Sequence, residues 1–335
     1  MTPPVTALVE RSPKLSAADI LASLVPPPQF ATASFDSYIP DEEFPSQAQA
    51  RDTLRSFSAG LTVVEQSKLF GRKAAVEQSL PGVYLDGGFG VGKTHLLASA
   101  WNASASRKKF FGTFLQYTSL VGALGYQQAV EAMSGAGLIC IDEFELDDPG
   151  NTMIMSRLIN ELGANGTVFA ATSNTPPDAL GAGRFAAEDF QREILGIGAR
   201  FMVIPVDGED YRHRHTETVG TFSAVDLSSW VAERSSISTL DSFPELLKHL
   251  SSMHPSKYHK LVSGLERIAI TDISVFKDQN DALRFVAFVD RAYEEQIRLR
   301  TSGIDLSSAF TPEMISGAYQ KKYRRAISRL AAMSA

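Results

Sequence analysis

Cysteine is nearly absent from this chain: Cys140 is the single one in 335 residues. A lone thiol builds no disulfide framework, which excludes the small stapled secreted folds and suits a reducing compartment; a cytoplasmic location is expected. No uninterrupted apolar run reaches about 18 residues, so no membrane span is expected. The N-terminus has no charged stretch followed by an apolar one. It carries Glu10 and Asp19 and is not Arg-rich, so neither a secretory nor a transit peptide is expected. An excess of positive charge is also missing. With 32 Lys and Arg against 38 Asp and Glu, the net charge is -6. That balance argues against a protein that coats nucleic acid broadly, though not against a local basic patch. Internal repeats and low-complexity segments are absent. What remains is an ordinary globular composition, 44% hydrophobic and 21% charged, enough to bury a large core in roughly one to three domains.

Against that background one segment carries chemistry. Gly87, Gly88, Phe89, Gly90, Val91, Gly92, Lys93 and Thr94 fit G-x-x-x-x-G-K-[ST] without a mismatch. Glycines let the loop take backbone angles that a side chain forbids, so N–H groups turn inward around phosphate oxygens. The segment Gly82–Asp86 before it is β-prone, and His95 to Trp101 after it is helix-prone. A helix starting at about Lys93 would aim its positive dipole end at the same anion. Lys93 is expected to reach the β- and γ-phosphates of ATP and the Thr94 hydroxyl to ligate Mg²⁺, with His95 at the edge of the nucleotide contacts.

Two apolar runs end in polar residues. Leu138–Ile141 reads as a strand buried on both faces and leads into Asp142 and Glu143. Carboxylates at such a strand end emerge where open α/β sheets bind ligands. Asp142 is expected to hold Mg²⁺ and Glu143 to polarise the attacking water. Val168–Ser173 is a second such run, ending at Asn174, whose amide would orient water against the γ-phosphate, the sensor 1 role of AAA+ ATPases. Taken alone, the Asn-Thr-Pro-Pro stretch is only a turn.

Alternating strand and helix patterns from Gly82 to Val206 predict a P-loop parallel-sheet core with helices on both faces. Three regions follow: an N-terminal arm over 1–45, an ATPase core over 46–212, and a mainly helical C-terminal domain over 213–335. Within them, the reading places a helix over about 46–58 interrupted at Gly60, with a short helix near 65–70. It extends a strand over 110–117, with Thr118 or Ser119 capping the helix that follows. It draws a long amphipathic helix over 281–300 and a basic last helix from about Pro312. Arg325 and Arg329, four apart, face one target or form a solvated basic end.

This order of motifs resembles the ZapE-type division ATPases and their mitochondrial AFG-like relatives. The likeness runs from about Phe35 to Met333. It rests on Tyr84 to Gly88, Asp142-Glu143-Phe144, Thr172 to Pro177, Asp207 to Arg212, Arg284-Phe285 with Val289-Asp290, and Arg325 to Leu330. The resemblance implies ATP hydrolysis, a homo-oligomer with ATP at subunit interfaces, and a role near the bacterial division ring, on the ring or on another client protein. It also implies an arginine finger, for which Arg184 and Arg192 are both candidates because the stretch 183–192 departs from the family pattern. Arg325, with Arg329 beside it, would act in the sensor 2 manner. The alternative is a helicase-loader-like ATPase acting at DNA, which the net acidity opposes.

Overall fold

The computed structural model describes residues 6–14, 16–69, 82–144, 149–176, 191–209, 221–234, 237–317 and 319–334; of the helical residues among these, the side chains of 62–69, 149, 191–194 and 321 are not described. The chain divides into two compact units, one of Ser16–Tyr211 and one of Met1–Leu15 with Arg212–Ala335.

The first unit contains helices α1 (Ala17–Ala22) and α2 (Pro45–Leu69), then alternates: β1 (Gly82–Asp86), α3 (Lys93–Ala103), β2 (Lys109–Thr113), α4 (Phe114–Leu124), α5 (Tyr126–Met133), β3 (Leu138–Asp142), α6 (Pro149–Ala164), β4 (Val168–Ser173), α7 (Gln191–Gly198) and β5 (Phe201–Pro205). The five strands are parallel in the order β2-β3-β4-β1-β5. The expected parallel sheet with helices on both faces is borne out. Because side chains alternate along a strand, Val83, Leu85, Leu138, Cys140 and Ala170 pack with α2 and α3. The intervening Tyr84 stacks edge-to-face on Phe144, which in turn meets Phe114 of α4. Central strands covered on both sides explain why β3 is apolar up to Asp142.

Local chemistry moved three boundaries. Helix α2 runs through Gly60 unbroken. Ala50, Leu54, Phe57 and Leu61 form one buried stripe, and that burial outweighs the ~1 kcal/mol that glycine costs in a helix. Strand β2 stops at Thr113 because Thr113 caps the next helix: its hydroxyl accepts from Gln116 N, and the Gln116 side chain accepts from Thr113 N. Gly125, at φ 80, then separates α4 from α5.

The second unit is helix-rich, with α8 (Ala224–Ala232), β6 (Ser238–Ser242), α9 (Phe243–Ser251), α10 (Tyr258–Val262), β7 (Arg267–Ile273), α11 (Gln279–Glu294), β8 (Arg298–Gly303), α12 (Pro312–Ser316) and α13 (Gln320–Ser334). Its strands form a parallel sheet, β6-β7-β8. One face packs on α8 through Leu227, Trp230 and Ala269. The other carries the main core, including Ile268, Ile270, Phe285, Leu299 and Tyr323. The long helix expected to Arg300 ends at Glu294: Gln296 turns the chain at φ 56, and Arg298–Gly303 becomes β8. The N-terminal segment joins this unit. Thr6 bridges Thr239 in parallel, Leu8 is fully buried, and Asp241 accepts from Leu8 N and Val9 N at 2.9 and 3.1 Å.

Candidate functional site

The site lies at the C-terminal ends of β1, β3 and β4, where the strand order reverses around β1 and open α/β sheets bind ligands. β1 runs out at Asp86 into the glycine loop. A Cβ on Gly87 would lie 2.1 Å from the Val206 carbonyl oxygen, so only glycine lets the loop leave the sheet beside β5. Gly92 sits at φ 85, and a Cβ there would meet the Tyr38 ring at 2.5 Å. Tyr38 closes the outside of the loop by donating its phenol to the Val91 carbonyl at 2.9 Å. Burial pushes that phenol up to about 12, against the opposing charge of Arg51, so it remains a donor.

Helix α3 starts at Lys93 as expected, with Gly92, which has no side chain to cap it, at its N-cap. The amino-terminal end of this helix, with the positive end of its dipole at the loop, suits an anion. His95 binds the N-terminal arm. Its Nε2 lies 2.9 Å from Ser37 Oγ and 3.1 Å from the Ser34 carbonyl, and its ring meets Phe30 and Tyr38 edge-on. The arm thus braces the loop and its helix. Farther along, Gln47 Nε2 donates to the Asp207 carbonyl at 2.8 Å and Ser46 Oγ accepts from Asp207 N at 2.9 Å, pinning the chain beyond β5.

The charged residues converge. Lys93 is 9% exposed, and its ammonium donates to the Gly87 and Gly88 carbonyls at 2.8 and 2.5 Å and to Asn174 Oδ1 at 2.9 Å. Thr94 Oγ1 donates to Asp142, 3.2 and 3.1 Å from its two carboxylate oxygens. Thr172 Oγ1 donates to Asp142 Oδ1 at 2.5 Å. Glu143 follows at φ 51, the left-handed region, with its N–H on Thr172 Oγ1 at 3.1 Å. Past Asn174, the Tyr84 phenol holds the Thr175 carbonyl at 2.7 Å.

These residues fit a nucleoside triphosphate with Mg²⁺. A hydroxyl and a carboxylate side by side are hard oxygen donors, and Mg²⁺ is ordinarily held by one or two protein oxygens plus phosphates and water. Among the described residues no cluster of three or more His, Cys, Asp or Glu could hold a metal by itself.

Of the residues singled out from sequence, the glycine loop, Lys93, Thr94, Asp142, Glu143 and Asn174 come together. Arg184 lies outside the described residues, and Arg192 is in α7 with its side chain outside them. Arg325 and Arg329 belong to the second unit, buried at 6% and 9% exposure. Both pair there with Asp290 of α11, Arg325 Nη2 at 2.7 Å. Sequence reasoning gave Tyr38, Gln47 and Thr172 no role in the site. Thr172 left a local signal, a hydroxyl beside Ser173 at the end of a run that is otherwise apolar.

A family model described as AFG1-like ATPase matches residues 15–235 and 228–335. The Escherichia coli (strain K12) protein named cell division protein ZapE is 26% identical over 311 residues, 79% of this chain and 81% of its own. The Danio rerio protein named lactation elevated protein 1 homolog B is 24% identical over 203 residues, 54% of this chain and 40% of its own. Among solved structures, the DnaC helicase loader gives a TM-score of 0.38 at 18% identity, over 53% of this chain and 99% of that one. A likeness that low carries no argument about function. No helix among the described residues is long and apolar enough to cross a membrane.

Proposed function

The chain belongs to the AFG1-like ATPase family, and from that membership we propose that it hydrolyses ATP to ADP and phosphate in the glycine-loop site and uses the free energy to act on a client protein. One observation supports this reading above the others: Lys93 and Thr94 at the start of α3 meet Asp142, Glu143 and Asn174 at the C-terminal ends of β3 and β4. In this reading the loop amides and Lys93 hold the β- and γ-phosphates. Thr94 and Asp142 hold Mg²⁺, which when bound neutralises charge on those phosphates. Glu143 accepts a proton from the attacking water, and Asn174 orients that water.

The client is inferred from likeness. The similar Escherichia coli protein is named for cell division, which supports a client in the division apparatus and a cytoplasmic site of action. Assembly into a homo-oligomer would let Arg184 or Arg192 of one subunit serve a neighbour's ATP. Arg325 would report nucleotide state from the second unit, with Arg329 beside it.

Phosphate release from wild type, Lys93→Ala and Glu143→Gln tests the core reading. Lys93→Ala should lose nucleotide affinity. Glu143→Gln should keep ATP affinity and lose turnover by about 10²-fold or more, since it removes proton acceptance and no binding contact. Equal loss of binding in both variants would remove these roles. Mixing Lys93→Ala subunits with Arg184→Ala or Arg192→Ala subunits should restore activity if the arginine acts across an interface.

A further inference from the structure

Thr172 stands between the two acids of the site and bonds to the backbone or side chain of three consecutive residues. Its hydroxyl donates to Asp142 Oδ1 at 2.5 Å, the same oxygen accepts from Glu143 N at 3.1 Å, and its carbonyl accepts from Phe144 N at 2.7 Å. A hydroxyl has one proton and two lone pairs. Giving the proton to Asp142 leaves a lone pair for the Glu143 amide, so the two bonds coexist. The first has the short length of an O–H bond to a carboxylate. The side chain is 2% exposed, on a strand interior where branching at Cβ restricts its rotation.

The backbone at Glu143 explains why such a clamp is needed. The left-handed conformation at φ 51 costs a non-glycine residue on the order of 1 kcal/mol. It persists where its surroundings over-determine it. Here the amides of Glu143 and Phe144 both end on Thr172, and Phe144 is fully buried against Tyr84 and Phe114. The turn carries Glu143 off the strand immediately after Asp142.

We propose that Thr172 is a positioning residue that sets the metal-holding carboxylate of Asp142 and the backbone turn of the proposed base Glu143 through one hydroxyl. The proposal rests on the ATP-hydrolysis reading for its kinetic consequence, though not for its effect on Mg²⁺. Groups behind a metal ligand fix its orientation, and their loss costs about 10- to 100-fold in metal affinity or activity. Thr172 touches neither nucleotide nor reacting atoms in this scheme and acts through Asp142 and Glu143.

Thr172→Val keeps the shape and removes the hydroxyl; Thr172→Ser keeps the hydroxyl. Two measurements are made on both and on wild type: phosphate release against ATP concentration, and Mg²⁺ titration of fluorescent ATP-analogue binding. Thr172→Val should lower kcat by about 10- to 100-fold, with KM within about 3-fold. It should raise the Mg²⁺ needed for half-maximal analogue binding about 10-fold or more. Thr172→Ser should stay near wild type in both. Unchanged kcat and Mg²⁺ requirement in Thr172→Val would overturn the proposal, as would equal losses in the two variants. Should Thr172→Val merely be less stable, its melting temperature falls while the Mg²⁺ requirement of the folded fraction stays put, and that result also overturns it. If wild type releases no phosphate, the ATPase reading fails, while the Mg²⁺ titration still decides whether Thr172 positions Asp142.

Discussion

Lys93 Nζ and Asn174 Oδ1 lie 2.9 Å apart, joining the first residue of α3 to the end of β4. The cation proposed to hold the γ-phosphate and the amide proposed to orient water are thus set against each other by a direct bond. Asn174→Ala should leave ATP affinity within a few-fold and lower turnover by about 10²-fold, the usual cost of deleting one well-aimed polar group. Asn174→Asp should behave differently. A carboxylate at this distance from Lys93 competes with phosphate for the ammonium, so ATP affinity should fall about 10-fold or more. Titration calorimetry separates the two; unchanged affinity in Asn174→Asp would argue that Lys93 does not bind phosphate.

Cys140 provides a probe of the core. It is fully buried in β3, and burial pushes its thiol well above the ordinary cysteine range, with Asp142 adding and Lys109 opposing. Because the thiolate is the reactive form, the folded protein should be inert to a disulfide reagent at pH 8 and react once the sheet opens. ATP with Mg²⁺ should slow labelling in proportion to its saturation, since it binds only the closed form. Rapid stoichiometric labelling of the folded protein would contradict the placement of β3.

Much of this architecture was legible because its signals are local. The glycine loop is a contiguous pattern, and the strands ending at Asp142 and Ser173 are continuous apolar runs, the mark of strands covered on both faces. The missed elements lacked those signals. Strand β6 reads Ser-Thr-Leu-Asp-Ser and β8 Arg-Leu-Arg-Thr-Ser-Gly, polar runs whose pairing comes from β7, distant in sequence. Ile297 fits the helical spacing of α11 as well as the period-two burial of Ile297, Leu299 and Thr301. Glycine at position 60 read as a breaker because the stripe that overrides it is visible only once α2 is packed. Long-range partners were invisible altogether: nothing near Arg325 in the sequence points to Asp290, and nothing near Thr172 points to Glu143.

The second unit should weaken under mild acid. His259 Nδ1 lies 3.3 Å from Glu295 Oε1, yet burial, with the nearby Arg291 charge, holds the imidazole below its ordinary 6.5; Glu295 opposes the shift. The unfolded chain therefore takes up a proton below about 6.5 that the folded chain resists. Stability then rises with pH through the window between the lowered value and 6.5, and falls as pH drops through it. Melting temperature measured from pH 5 to 8 should fall on the acid side less steeply in His259→Gln than in wild type. Parallel curves would show that His259 is not the group responsible.

Asp290 accepts from Arg325 at 2.7 Å and forms an ion pair with Arg329, all three side chains at most 10% exposed, and Arg329 also lies over the Tyr293 ring at 5.3 Å. One carboxylate thus joins α11 to two turns of α13. Removing one partner of a buried pair costs about 3–5 kcal/mol, because the charge left behind keeps its desolvation penalty. Asp290→Ala leaves two buried guanidiniums without their shared carboxylate, while Arg325→Ala leaves Asp290 with Arg329. Asp290→Ala should therefore lower the urea midpoint of the second unit more than either arginine variant. The same variants test the sensor role. If Arg325 contacts the γ-phosphate, Arg325→Ala should weaken ATP more than ADP, since a contact equal in both states shifts nothing. Lys321→Ala and Lys322→Ala should change neither affinity by much. We expect Arg325→Ala to lower both stability and the preference for ATP. If Arg325→Ala and Arg329→Ala each leave the ATP-to-ADP ratio unchanged while lowering the midpoint, the arginines serve the α11–α13 contact alone, and nucleotide state is read elsewhere.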